Sequence, residues 1–183
     1  MPTPLKNAVR ALAGGGVIAY PTEGVWGLGC EPLNRHACER LLAMKQRDPA
    51  KGLILIAHDF EALADFVAPV EEKLLKKALA TWPGAHTWIF PAGWAAPEWI
   101  TGAHDGIAVR VTAHPVARAL CRAYGGAIVS TSANVAGRPA ARSALQVRRI
   151  FGGELDALVP GALGGARGAT PIRDLRSDRS LRA

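Results

Sequence analysis

The apolar runs of this chain are short, and each is cut off within a few residues by glycine, proline, histidine or a charge, as at 53–57 and 107–109. That pattern limits the chain to short strands and short helices. None of the runs approaches the roughly 20 apolar residues that a helix needs to cross a bilayer, so no membrane association is expected. The first ten residues hold one lysine and one arginine with no apolar stretch behind them. This argues against a secretory leader and makes the cytoplasm the expected compartment. With 183 residues, 49% of them apolar, there is material for one core, and 1–183 reads as a single domain.

The order of the pieces predicts the fold class. Residues 5–13 read as a helix ended by Gly14, Gly15 and Gly16, and 17–20 as a strand stopped by Pro21. Residues 22–30 read as a glycine-punctuated segment, 35–46 as a helix, and 53–57 as a strand apolar enough to be covered on both faces. Helical stretches at 59–66 and 70–80 precede a strand at 87–90 and a loop at 91–100. A strand at 107–111 leads to a helix at 115–124, with Pro115 in its first turn and Gly125 past its end. A strand at 127–130, a helix capped by Ser143 and running to Phe151, a brief strand at 156–159 and an extended piece at 171–175 complete the chain. Strands and helices alternate without clean βαβ repeats. The expectation is an α/β fold with a twisted sheet, mixed parallel and antiparallel, and flanking helices.

Charge and side-chain chemistry narrow the function. The net charge is +7, and from Arg138 onward nine arginines face four acids, a net of +5. Such a balance suits nucleic acid or nucleotide phosphates, and equally an arginine-rich coding habit. Cys30, Cys38 and Cys121 form no CxxC pair, and the five histidines match no ligand spacing, so neither a disulfide framework nor a metal site is expected.

Four stretches could carry chemistry. Thr22 to Gly29 places a hydroxyl and three glycines directly after a strand, where α/β folds bind ligands; the alternative is a tight corner with none. Lys45, Arg47 and Lys51 put three cations where a helix gives way to a loop, suited to phosphate oxygens or simply to a solvated helix end. Ser130, Thr131, Ser132 and Asn134 end a strand in a dense set of donors and acceptors, or form a turn and cap. Arg110 interrupts an apolar strand, and its charge needs a partner: a ligand carboxylate, or an internal acid such as Glu23 or Asp105. GxGxxG, GxxxxGK[ST] and GxSxG are all absent.

Taken in order, these segments resemble the threonylcarbamoyl-AMP synthase family, the YrdC/Sua5-like proteins, in its short bacterial form. The resemblance rests on Pro21-Thr22-Glu23, Gly27-Leu28-Gly29-Cys30, Lys45 with Arg47, the Lys51–Ile56 stretch, Trp82-Pro83-Gly84 with Thr87, Ala108–Val111 with His114-Pro115, 130–134, and Ile172-Arg173-Asp174. It implies a YrdC-like (DHBP-synthase-like) fold with an open, positive cavity. It also implies an enzyme that joins L-threonine, bicarbonate or CO2, and ATP into L-threonylcarbamoyladenylate and pyrophosphate, feeding the t6A modification of tRNA. Mg2+ would accompany the ATP, held mainly by phosphates.

The family also implies partners: a complex that transfers the threonylcarbamoyl group, and tRNA or double-stranded RNA. Carried over by motif, Lys45, Arg47, Ser132 and Asn134 would line the phosphate and nucleotide site. Thr22 and Arg110 would lie near the threonine, with Ser130 and Arg142 in support. The sequence departs from the family pattern at Gly24, Trp26, Ala136 and 168–172. A non-catalytic RNA binder of the same fold and a related adenylate-forming enzyme for another amino acid are the competing readings.

Overall fold

The computed structural model describes residues 1–182. Among them are strands β1 (Ile18–Pro21), β2 (Trp26–Gly29), β3 (Ile54–Ala57), β4 (Thr87–Pro91), β5 (Gly106–Val111), β6 (Ile128–Ser132), β7 (Ala157–Leu158), β8 (Ile172–Asp174) and β9 (Ser180–Arg182). They join in one sheet of order β7-β1-β2-β6-β3-β5-β4-β8-β9. The β1–β7, β3–β5 and β4–β8 pairs are parallel and the other neighbours antiparallel. This is the expected mixed α/β sheet.

Side chains alternate across a strand, and that alternation creates two unlike faces. On one face Leu55, Trp88, Phe90, Ile107, Val109 and Val129 enter the larger core. Helix α2 (Arg35–Lys45) covers it with Cys38, Leu41 and Leu42. On the other face Ile18, Tyr20, Ile56 and Ile128 meet Ala8 and Leu12 of α1 (Thr3–Ala13) and Ala117, Leu120 and Cys121 of α5 (Pro115–Tyr124). Each fully buried leucine or isoleucine stabilises the fold by about 1.5–3 kcal/mol.

These two helices cover only part of their face. One residue pair further along the strands, the register aligns Ser130, Ile54, Ala108, Ile89 and Asp174 in a row across five strands. All five line an open cavity. The site exists because the sheet is wider than the helices that pack on it.

Several elements differ from the sequence expectation. Residues 22–30 contain β2: Thr22 N–H bonds Val25 O at 3.2 Å, so the chain turns tightly and returns as a strand antiparallel to β1. The 59–66 stretch is a 3-10 turn, Glu61–Phe66, begun by Asp59 Oδ1 accepting from Ala62 N–H. The second helical stretch is α3 (Glu72–Leu79). Within 91–100 begins a short helix, α4 (Glu98–Thr101). Ser143 caps α6 (Ala144–Phe151) as expected, accepting from Gln146 N–H. The tail forms β8 and also β9, strands made by pairing with β4 and with each other rather than by apolar content.

Candidate active site

The cavity holds about 520 Å3 and gathers residues from six separate stretches of chain. Its floor is the cross-strand row just described. Thr22, Val25 and Trp26 form one wall, Arg47, Lys51 and Gly52 another, and Ala169 with Thr170 a third. Arg179, Leu181 and Arg182 close the tail side.

The end of α2 explains how Lys45 and Arg47 part company. Lys45 is the last helical residue and Gln46 turns left-handed, with φ 50°. That conformation is costly for a residue with a Cβ, and it separates the two cations. Arg47 turns into the cavity, half-buried, with Nη2 donating to Gly52 O at 3.1 Å and Nε without a partner. Lys45 turns away from the cavity and is 2% exposed. Its ammonium donates to Ser132 O, to Asn134 O at 2.8 Å and to Asn134 Oδ1 at 3.5 Å. Burial, with the Arg47 charge nearby, pulls the Lys45 pKa down to about 8, which leaves it mostly charged at neutral pH.

Lys45 therefore braces the end of β6, where Ser132 Oγ also donates to Asn134 Oδ1 at 2.6 Å. Ser132 and Ser130 line the cavity; Asn134 lies behind it, its amide donating to Val135 O and Arg138 O. The expected set of Lys45, Arg47, Ser132 and Asn134 is thus brought together, but only Arg47 and Ser132 face the cavity. Arg142, expected in support, is not brought to the cavity. It is exposed just before α6, outside the cavity lining, in the stretch that runs from Ala141, hydrogen-bonded to Trp26 and Ala133, to that helix.

Thr22 lines the cavity while its hydroxyl donates to Val25 O at 2.6 Å, fastening the turn. Arg110 is 4% exposed. Its Nη1 donates to Thr170 Oγ1 at 2.6 Å and Thr87 Oγ1 at 3.1 Å, its Nη2 stands 3.7 Å from Glu23 Oε2, and its Nε has no partner. Of the two internal acids considered, the one beside Arg110 is Glu23; the arginine also lines the cavity, with its buried Nε unpaired. Burial pushes the Glu23 pKa up, but the Arg110 charge and the Thr112 hydroxyl outweigh it and hold the carboxyl below its ordinary value.

Sequence reasoning passed over Thr170, Arg179 and Arg182. Thr170 joins two arginines: its hydroxyl accepts from Arg110, and its carbonyl accepts from Arg182 Nε at 2.9 Å and Nη2 at 2.6 Å. Burial and the charges of Arg110 and Arg47 lower the Arg182 pKa. The arginine-rich tail was the available signal, though nothing in it pointed inward. Cys30 and Cys38 lie 3.7 Å apart, sulfur to sulfur, both buried in the core.

A mixed α/β sheet bearing a cavity lined by Arg47, Arg110, Arg179 and Arg182, with Lys51 at its rim and the hydroxyls of Thr22, Ser130, Ser132 and Thr170 around it, defines an α/β protein with a basic, hydroxyl-lined site. The Sua5/YciO/YrdC family model, described as "Telomere recombination", matches residues 10–183, and the chain belongs to that family. It is 55% identical to a threonylcarbamoyl-AMP synthase of Halorhodospira halophila over 99% of this chain and 95% of that one. It is 52% identical to the threonylcarbamoyl-AMP synthase of Nitrosococcus oceani, over 97% and 96%. The solved structure of P. abyssi Sua5 complexed with L-threonine is 31% identical with a TM-score of 0.88, over 94% of this chain and 51% of that one. This chain thus spans about half the length of that Sua5. E. coli YciO is 27% identical with a TM-score of 0.81, over 98% and 87%.

Proposed function

We propose that this chain is a threonylcarbamoyl-AMP synthase, condensing L-threonine, bicarbonate or CO2, and ATP into L-threonylcarbamoyladenylate and pyrophosphate for t6A in tRNA. The observation that carries the reading is the convergence of Arg47, Arg110 and Arg182 with Thr22, Ser130 and Ser132 on one cavity. That inventory suits a carboxylate and a triphosphate held side by side. The identity and coverage shared with the named synthases support it.

The reaction needs alignment rather than a protein nucleophile. The threonine amine attacks CO2 and loses a proton, giving a carbamate. A carbamate oxygen then attacks the α-phosphorus of ATP, and the bond to pyrophosphate breaks. Bringing two anions together is the obstacle, and fixed cations with preorganised donors remove it. Arg110, with its free Nε and loosely held Nη2, receives the threonine carboxylate. Arg47, Ser132 and Arg182 receive phosphate oxygens, with Lys45 and Asn134 holding Ser132 in place. Ser130 supports the floor.

Asp174 is the one carboxylate among the described residues lining the cavity, and no group of three or more His, Cys, Asp or Glu there could cage a metal. Mg2+ would fit as the companion of the triphosphate, held mainly by phosphate oxygens rather than by a protein cage. The product passes to a threonylcarbamoyl-transfer complex acting on tRNA in the cytoplasm. The basic tail suits contact with tRNA or double-stranded RNA.

The test is pyrophosphate release from ATP with and without L-threonine, in bicarbonate buffer with Mg2+, the product identified by mass. Release that requires threonine and bicarbonate, and that falls in Arg47→Ala and Lys45→Ala, supports the synthase. A folded parent without threonine-dependent release overturns it.

A further inference from the structure

The segment 161–170 lies across the turn that carries Thr22. Gly164 N–H donates to Thr22 O at 3.1 Å and Ala166 N–H to Glu23 O at 2.9 Å. His114 Nδ1 accepts from Ala117 N–H, which leaves the proton on Nε2, and Nε2 donates to Ala162 O at 3.0 Å. Two residues past the last of these contacts, Gly168 meets Gly24. A Cβ on Gly24 would fall inside contact distance of the Gly168 carbonyl oxygen, 2.9 Å from its carbonyl carbon and 3.2 Å from Ala166 O.

Gly24 itself has no left-handed backbone angle, so its φ does not call for glycine. What calls for it is the space taken by the overlying segment. Gly168, with φ 88°, does need glycine, and it leads through Ala169 to Thr170, whose hydroxyl and carbonyl hold Arg110 and Arg182.

We propose that Gly24 is a positioning residue: bare of a side chain, it seats the 161–170 segment at the height from which Thr170 aligns Arg110 and Arg182 on the anionic substrates. This rests on the anion-binding reading above and adds to it a determinant that touches no substrate. A side chain at Gly24 lifts the segment, carries Thr170 outward and separates the two arginines, while the sheet and both cores stay as they are.

The experiment combines limited trypsin cleavage with kinetics. Arg167 is exposed at the centre of the segment, so cleavage after it reports seating without reference to the reaction. Gly24→Ala is expected to speed that cleavage about tenfold and no other, because only a local unit opens. It is also expected to raise KM for threonine and ATP about tenfold with kcat within about twofold, the signature of lost binding alignment.

Gly164→Ala, whose Cβ would stand 3.0 Å from Glu23 Cα, should give a smaller change of the same kind. Gly126→Ala, with nothing nearer than 3.9 Å, should match the parent. Equal acceleration at every tryptic site, or unchanged Arg167 cleavage and unchanged KM, overturns the proposal. If Gly24→Ala does not fold, Gly164→Ala decides by the same criteria. A parent that releases no pyrophosphate overturns the functional reading instead, and the cleavage comparison still decides whether the segment is seated by Gly24.

Discussion

Glu23 Oε2 and Arg110 Nη2 face each other at 3.7 Å with both side chains buried. The distance is too long for a hydrogen bond and short enough to neutralise charge. Glu23 is held on its other oxygen by Thr112 Oγ1 at 2.6 Å and Ala113 N–H at 3.3 Å. Arg110 is therefore stabilised without a hydrogen bond to Glu23, which under the proposed function leaves Nη2 for a substrate carboxylate.

Glu23→Gln keeps the shape and removes the countercharge. Breaking a buried pair in this way costs about 3–5 kcal/mol, measurable by urea denaturation at pH 7. The pH dependence follows from the lowered pKa of Glu23. Its stabilising contribution is complete above the unfolded carboxyl value and is lost as pH falls through the lower folded value. The parent should lose stability over that acid range by more than Glu23→Gln does.

Arg110→Lys keeps a cation and loses the planar fork. Thr170 and Thr87 hydroxyls then lose a fixed donor. The expected result is a rise in KM for threonine of about tenfold or more, equivalent to about 1.4 kcal/mol, with a smaller change for ATP. Steady-state pyrophosphate release at varied threonine measures both.

Lys45 deprotonates as pH passes about 8. A neutral amine has two N–H donors for the three oxygens now served, so the end of β6 loosens and turnover should fall above that pH. Lys45→Arg, which stays charged, should abolish this limb of the profile. Stability moves the other way: between about 8 and the ordinary 10.5 the unfolded chain binds more protons, so this group's contribution rises with pH. Activity falling while thermal stability does not would separate the two effects.

Arg182→Ala should leave Thr170 O without its two donors and remove one cation from the cavity. KM for ATP is expected to rise severalfold, and to become less sensitive to salt, in an assay run from 50 to about 300 mM salt.

Ser143→Ala removes the cap on α6. A loss of about 1 kcal/mol in stability with unchanged turnover is expected from denaturation and kinetics run together, since this helix end lies outside the cavity lining.

Local chemistry made much of this molecule readable in the sequence. Alternating strands and helices, Ser143 as a cap, and Gly125 past the end of its helix are decided within a few residues, and the structure holds each. Strand β2 was missed because Gly27 and Gly29 read as loop residues. They are strand residues because they pair with β1 and β6, and the close approach needs glycine: a Cβ at Gly29 would meet Val129 O at 2.5 Å and Tyr20 Cε1 at 2.9 Å, neighbours invisible along the chain. Lys45 and Arg47 were legible as a pair, but not their division into brace and cavity wall, which hangs on the left-handed Gln46.

By itself the sequence determined most of the elements, the alternation of faces and the supply of cations and hydroxyls, because these depend on period and residue type. Tertiary structure alone decided that α1 and α5 stop short of the sheet's width, leaving a cavity. It alone turned Arg142 to solvent and folded the tail back to place Thr170 between Arg110 and Arg182. The partners in that last contact lie 60 and 12 residues apart, and no local preference encodes a hydrogen bond made only when distant strands take their places in one sheet.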